Sequence, residues 1–344
     1  MSVSLECDSK NYLVTNMDLK NTIANNRTYL MGISIFCIML FHQGWIWNKI
    51  HVLFLLFHMY GNWGVDIFFF VSGFGLYHSL KKNGNVIAFY HRRLLRLLPM
   101  CFTCGIVRYW IDHLLPVGIG GYPTGEHEIS SNWATIFSLD KWFIAVIVTY
   151  YLIMPVLFKL VNRIGKRLVC IAFLIAVFNA IPLIEIPLLN TQYTSRLPAF
   201  CLGVVTAACP IIYNKREVVI SYIALLLAFV YKILIYQGVF HMYDAFTYII
   251  LSIGLIQLCV LIANTYRRYQ SAIWQWWMNI MNFLGRHSLE LYLWHEFIYR
   301  YTYRFLINTP IPLFIQMVIG MSVSLFIAYF HKKIMDKVLD IIRI

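Results

Sequence analysis

The sequence predicts an all-α integral membrane protein of about ten transmembrane helices with both termini cytoplasmic. Three observations carry this reading. The 344 residues are 60% hydrophobic and 12% charged, with a mean hydropathy of +0.67, whereas a soluble globular chain carries about 25% charged residues. Apolar runs long enough to cross a bilayer recur along the chain, and about 20 such residues suffice for a helical span. The basic residues gather in alternate connecting segments, which is the pattern that orients a multi-pass protein.

Residues 1–28 are polar, mixed in charge and without a small-residue cleavage site, so they read as a cytoplasmic N-terminal segment. The transmembrane domain follows over 29–335, with spans at roughly 29–47, 63–80, 95–114, 142–160, 167–186, 197–212, 218–236, 245–264, 284–306 and 312–331, and residues 336–344 form a short cytoplasmic tail. Residues 50–61 are apolar but too short to span, which puts them along the membrane interface. The stretch 112–141 is the longest connection and is rich in Gly, Pro, Ser and Asn. No internal repeat stands out.

Charge sets the sidedness. One set of segments holds 21 of the 28 basic residues, among them Lys81, Lys82, Arg92, Arg93, Arg96, Arg163, Arg267, Arg268 and Lys332. The opposite set holds Asp112, Glu126, Glu128, Asp140, Glu185 and Asp244. The first set is cytoplasmic and the 112–141 loop is external. The formal charge of +13 is therefore a topology signal, and no nucleic-acid partner is needed to explain it. Seven of the eight cysteines lie in or at the ends of apolar runs, and Cys7 lies in the polar N-terminus. Cys101-x-x-Cys104 has no second pair and sits in an apolar helix, so it reads as packed small side chains rather than half of a metal or redox site. No metal site is expected.

A few charged or titratable residues interrupt the apolar runs, and such residues are costly in lipid. His42 falls in the outer half of the first span. It is either a hydrogen-bonded interior residue or a general base, since imidazole titrates near neutrality. Asp66 opens the second span, where it either answers the helix dipole or orients an imidazole; the topology sets it at a depth similar to His42. In Tyr90-His91-Arg92-Arg93-Leu94-Leu95-Arg96, Arg93 and Arg96 are three apart and share a helical face. The cluster is either a positive-inside anchor or an anion clamp, for which guanidinium is well suited. Glu290, His295, Glu296, Arg300 and Arg304 lie in or near one late span. Trp45, Trp47, Tyr60, Trp63, Tyr122 and Trp133 gather toward the outer side, as an interfacial belt or a sugar-stacking platform.

These segments together resemble the membrane-bound acyltransferase-3 family, which includes O-acetyltransferases of cell-surface polysaccharides. The residues that carry the resemblance are IMLFH ending at His42, GVDIFFFVSGF at 64–74, FYHRRLLRLLP at 89–99, KWFIAVIVTYYLIMPVL at 141–157, RLPAFCLG at 196–203 and GRHSLELYLWH at 285–295. They occur in the family's order and cover roughly 29–331. The chain departs from the family pattern twice. Met31 stands where a basic residue eleven positions before the histidine is common, and Ile147 stands where many members carry Glu. Eleven residues turn a helix by about 1,100°, so position 31 shares the His42 face to within about 20°. Arg27, one turn earlier, is expected to reach the same region.

The resemblance implies transfer of an acyl group, acetyl as the first expectation, from cytoplasmic acyl-CoA to a hydroxyl of a cell-surface or lipid-linked glycan. Acyl-CoA would be a co-substrate, with no tightly bound cofactor. Arg92, Arg93 and Arg96 would dock its phosphates. His42 would act as general base or transient acyl carrier, with Asp66 as its catalytic partner. Ser72, Arg196 and Tyr292 are candidates for the oxyanion donors that attack on a thioester requires, and His295 for a supporting role. The implied setting is the bilayer of a bacterial-type cytoplasmic membrane. The other readings are a divergent, inactive relative serving as a membrane scaffold, and a small-solute transporter, since intramembrane charges also mark transport paths.

Overall fold

The computed structural model describes residues 16–47, 56–57, 59–114, 136–138, 141–180, 191–209, 215–237, 245–268, 271–306 and 308–342. Thirteen helices are named in chain order: α1 (Asn16–Asn25), α2 (Arg27–Trp47), α3 (Trp63–Asn83), α4 (Val86–Leu114), α5 (Trp142–Ile164), α6 (Arg167–Ala180), α7 (Thr191–Ser195), α8 (Leu197–Ala208), α9 (Lys215–Tyr236), α10 (Ala245–Arg268), α11 (Ala272–Arg286), α12 (Ser288–Leu306) and α13 (Leu313–Ile342). No strand occurs among the described residues. Most of the 50–61 segment, most of the 112–141 loop, Tyr122, Trp133 and Cys7 lie outside them, as do the side chains of Trp45 and Trp47.

Among the described residues, five helices are long and apolar enough to cross a membrane by length and composition: α4, α5, α9, α10 and α13. A sixth is added if α1 and α2, bent by 64° at Asn26, count as one span. The long helices that miss this test have a physical reason to do so. α3 carries Asp66, Lys81 and Lys82, and α12 carries Glu290, Glu296, Arg300 and Arg304. Both bury most of their length inside the bundle, where polar side chains find partners instead of lipid. The outer helices are inverted: Leu174 of α6, Leu226 of α9 and Phe326 of α13 are each about 60% exposed (58%, 62% and 64%), as suits side chains that face hydrocarbon. α13 continues to Ile342, so most of the 336–344 tail extends the last helix.

α3 is the central element. Its end is set by local chemistry: Gly84 takes the left-handed conformation (φ 60°) and caps the Leu80 carbonyl, while Lys81 and Lys82 fall in the last turn where they answer the helix dipole. Glycines bring its neighbours to backbone contact. A Cβ on Gly73 would meet the Phe200 carbonyl oxygen of α8 at 2.3 Å, and one on Gly203 of α8 would meet the Phe70 carbonyl oxygen at 2.0 Å. The α2–α11 crossing is built alike, with Gly32 on Met281 O at 1.8 Å and Gly285 on Thr28 O at 1.9 Å. Small residues let helices approach closely where no hydrophobic force drives them together. Between α3 and α8 lies an aromatic core in which Tyr150 of α5 touches Phe69 (5.1 Å) and Phe200 (4.6 Å).

Candidate active site

Two polar centres lie on either side of Tyr292 of α12. The first is a cavity of about 380 Å³ between α2, α3, α4, α5, α11, α12 and α13, within the range of about 300–1,000 Å³ typical of small-ligand sites. Arg27 enters it from the first residue of α2, immediately after the Asn26 bend. Arg93 and Arg96 enter from one face of α4, Arg286 from the end of α11 and Lys332 from α13. Among the described residues Glu290 is the single carboxylate of the lining, and it lies 3.6 Å from Lys332. Five cations against one carboxylate leave a strongly positive chamber. Its remaining wall is mixed: Ser72, Tyr151 and Tyr292 are polar, and Met31, Phe68, Phe143 and Ile147 are apolar. The guanidinium groups of Arg27, Arg93 and Arg96 act on one another through charge, and Tyr151 stands among them.

The second centre is a histidine pair. His42 Nδ1 lies 3.0 Å from the Ile38 carbonyl oxygen and 3.1 Å from His295 Nε2. His295 Nδ1 lies 2.8 Å from the Leu291 carbonyl oxygen. A carbonyl only accepts, so each neutral ring carries its proton on Nδ1. His295 Nε2 then carries a lone pair and shares the single Nδ1–H of His42 with the Ile38 carbonyl. His42 Nε2 is left with a lone pair of its own, the form needed to take a proton or attack a carbonyl carbon. Beside the pair, Lys141 at the head of α5 makes an ion pair with Glu296 of α12, and the Glu296 carboxylate acts on both histidines through charge.

Tyr292 joins the two centres. It lines the cavity, its ring packs on Phe143 at 4.6 Å and it lies 5.7 Å from the His295 ring. One aromatic ring therefore separates the basic chamber from the histidines.

Asp66 stands apart from both. Its partner is Arg196, in an ion pair with 0% and 1% of the side chains exposed. The Arg196 guanidinium is stacked over Tyr248 at 3.3 Å, with Trp142 at 5.9 Å. Gly64 packs on Ser34 and Ile38, so the first turn of α3 lies beside the middle of α2, below His42 rather than level with it. The structure thus gathers Arg27, Ser72, Arg93, Arg96 and Tyr292 in one cavity and joins His42 to His295. It places Asp66 with Arg196 in a third location and leaves Arg92 exposed, outside the cavity lining. Lys141, Tyr151 and Arg286 lie inside the motifs of the family resemblance, Lys332 in the basic set and Glu296 in the charged late span, but nothing local assigns them to these centres; Lys141 and Glu296 pair across 155 residues.

The family model described as an acyltransferase domain matches residues 28–332. No curated protein and no solved structure matches the chain.

Proposed function

We infer the function from one premise: the chain belongs to this acyltransferase family, whose model spans residues 28–332. It transfers an acyl group, acetyl in the first instance, from cytoplasmic acyl-CoA to a hydroxyl of a cell-surface or lipid-linked glycan. The observation that carries this reading is the basic cavity, one aromatic ring removed from His295, whose Nε2 in turn lies 3.1 Å from His42 Nδ1.

Arg27, Arg93, Arg96, Arg286 and Lys332 suit the phosphates of the donor, since guanidinium forks match phosphate oxygens. The apolar wall at Phe68, Phe143 and Ile147 leads the thioester toward His42. His42 Nε2 takes the proton of the acceptor hydroxyl as its oxygen attacks the thioester carbon. The tetrahedral oxyanion collapses, the C–S bond breaks, and the proton on Nε2 passes to the CoA thiolate. Ser72 and Tyr292 line the approach and are the oxyanion donors this geometry favours. In the two-step variant Nε2 itself attacks the thioester carbon, the C–S bond breaks, the CoA thiolate leaves, and His295 Nε2 receives the Nδ1 proton of the acyl-imidazolium. The acceptor oxygen then attacks the acyl carbon, the C–Nε2 bond breaks as His295 returns that proton, and the hydroxyl proton passes to the thiolate. His295 holds the Nδ1 proton of His42 in either route.

The test offers radiolabelled acetyl-CoA to membranes carrying wild type or His42→Ala. Label should pass to glycan only with wild type. Transfer that survives His42→Ala refutes the assigned base.

A further inference from the structure

Seven of the 28 basic residues fall outside the cytoplasmic set. Arg196 is answered by Asp66. Three others, Arg108, Lys141 and Arg300, come from three different helical segments and meet at the Lys141–Glu296 pair, which itself acts on His42 through charge. Lys141 reaches α12 through its ion pair with Glu296. Glu296 follows His295 in the chain, and Arg300 stands one turn further on the same helical face. Cys104 Sγ donates to the Leu293 carbonyl at 3.7 Å and so ties α4 to α12. Arg108 lies one turn beyond it, within charge reach of Lys141.

Among the described residues, Lys141 and Arg300 outnumber the one carboxylate between them, Glu296. Lys141 and Arg108 are buried (9% and 3% exposed), and Arg300 Nε is buried without a hydrogen-bond partner among the described residues. Cations on the outer side run against the insertion preference of the chain, and excess charge in a desolvated site is costly until a counter-charge arrives. The donor's phosphates have their own cations in the cavity on the far side of Tyr292.

We propose that Lys141 and Arg300 form an acceptor subsite beside His42 that selects a glycan bearing an anion, a carboxylate or a phosphate, near the hydroxyl to be acylated. This rests on the acyltransferase reading of the same site. The anion pairs with Arg300 and Lys141, which holds the neighbouring hydroxyl at His42 Nε2. Glu296 keeps Lys141 in place and answers the imidazolium formed at His42.

The test uses the full-length protein in nanodiscs with acetyl-CoA and two matched acceptor pairs. One pair is a hyaluronan tetrasaccharide and its carboxyl methyl ester. The other is a polyprenyl-phosphate-linked disaccharide and the same disaccharide released. The acidic member of at least one pair should be acetylated with about tenfold higher kcat/KM, the scale of a contact to a charged group. Arg300→Gln should remove that preference by raising acceptor KM while donor KM stays the same, which also reports intact folding, and Arg300→Lys should restore part of it. Equal use of acidic and neutral members in both pairs overturns the proposal, as does an Arg300→Gln loss shared by both members. His42-dependent release of CoA from acetyl-CoA is followed in parallel. If it is present without an acidic preference, only the subsite fails; if it is absent, the acyltransferase reading and the subsite fail together.

Discussion

At the scale of single residues, the protons fix the roles. The carbonyls of Ile38 and Leu291 determine which nitrogen of each ring carries hydrogen, and the 3.1 Å contact orders the pair. His295→Ala should lower kcat by about a hundredfold, the size of an acid–base contribution, with acetyl-CoA KM unchanged. His295→Gln should retain more activity, because its amide oxygen can still accept from His42 Nδ1–H. Steady-state kinetics on the two variants checks this. In the donor cavity Arg93→Gln and Arg96→Gln should each raise acetyl-CoA KM about tenfold, more at low salt than at high salt. Arg92→Gln should change it little, because Arg92 lies outside the lining; donor titrations at two ionic strengths separate the three. The basic run was legible in the sequence as a cluster, but which two of its three arginines face inward depends on how α4 packs. The Asp66 pairing was not legible at all. Its partner is 130 residues away, and local spacing carries no information at that range.

At the scale of helices, glycines decide how closely neighbours approach. Gly285→Val would press a side chain onto the Thr28 carbonyl, and Gly203→Val onto Phe70. Each should destabilise the fold by about 1–3 kcal/mol, the usual cost of overpacking. Fluorescence-detected gel filtration after a heating series would register the loss. Gly75→Ala is different in kind: its Cβ would meet the Arg27 guanidinium at 2.9 Å, the movable end of a side chain. Thermal stability should hold while acetyl-CoA KM rises. The apolar helices were legible because composition alone identifies a lipid-facing segment. α11 was not: its 15 residues close against α2 through Gly32 and Gly285, and the stretch read as a single ninth span divides at His287.

At the scale of the whole molecule, two polar centres lie on either side of Tyr292. In the oriented reading the basic chamber opens inward and the Lys141–Glu296 group lies outward. Single cysteines replacing Arg96 and Arg300 in a background without other accessible thiols should be labelled from opposite faces by an impermeant maleimide: Arg96→Cys from the cytoplasm, Arg300→Cys from outside. Labelling of both from one face would overturn the orientation. The two family departures converge at this scale. Met31 and Ile147 are 116 positions apart yet line the same cavity, and Arg27 supplies a cation one turn from Met31. Nothing in the linear order brings those two positions together; the fold does.

The Asp66–Arg196 pair has a consequence for how the polypeptide is made. α3 leaves the ribosome well before α8, so for that interval Asp66 must wait without its counter-ion. Removing one partner of a buried ion pair costs about 3–5 kcal/mol. Until residue 196 has been translated, the early helices hold an unmet acid at their centre and can shed it only by staying beside the insertion machinery or by protonation. Nascent chains arrested before α8 should therefore remain crosslinkable to the translocon and fall to quality-control proteases, while chains arrested just after it should escape both. The bond that is most hidden in the finished protein is also the step that commits the newborn one.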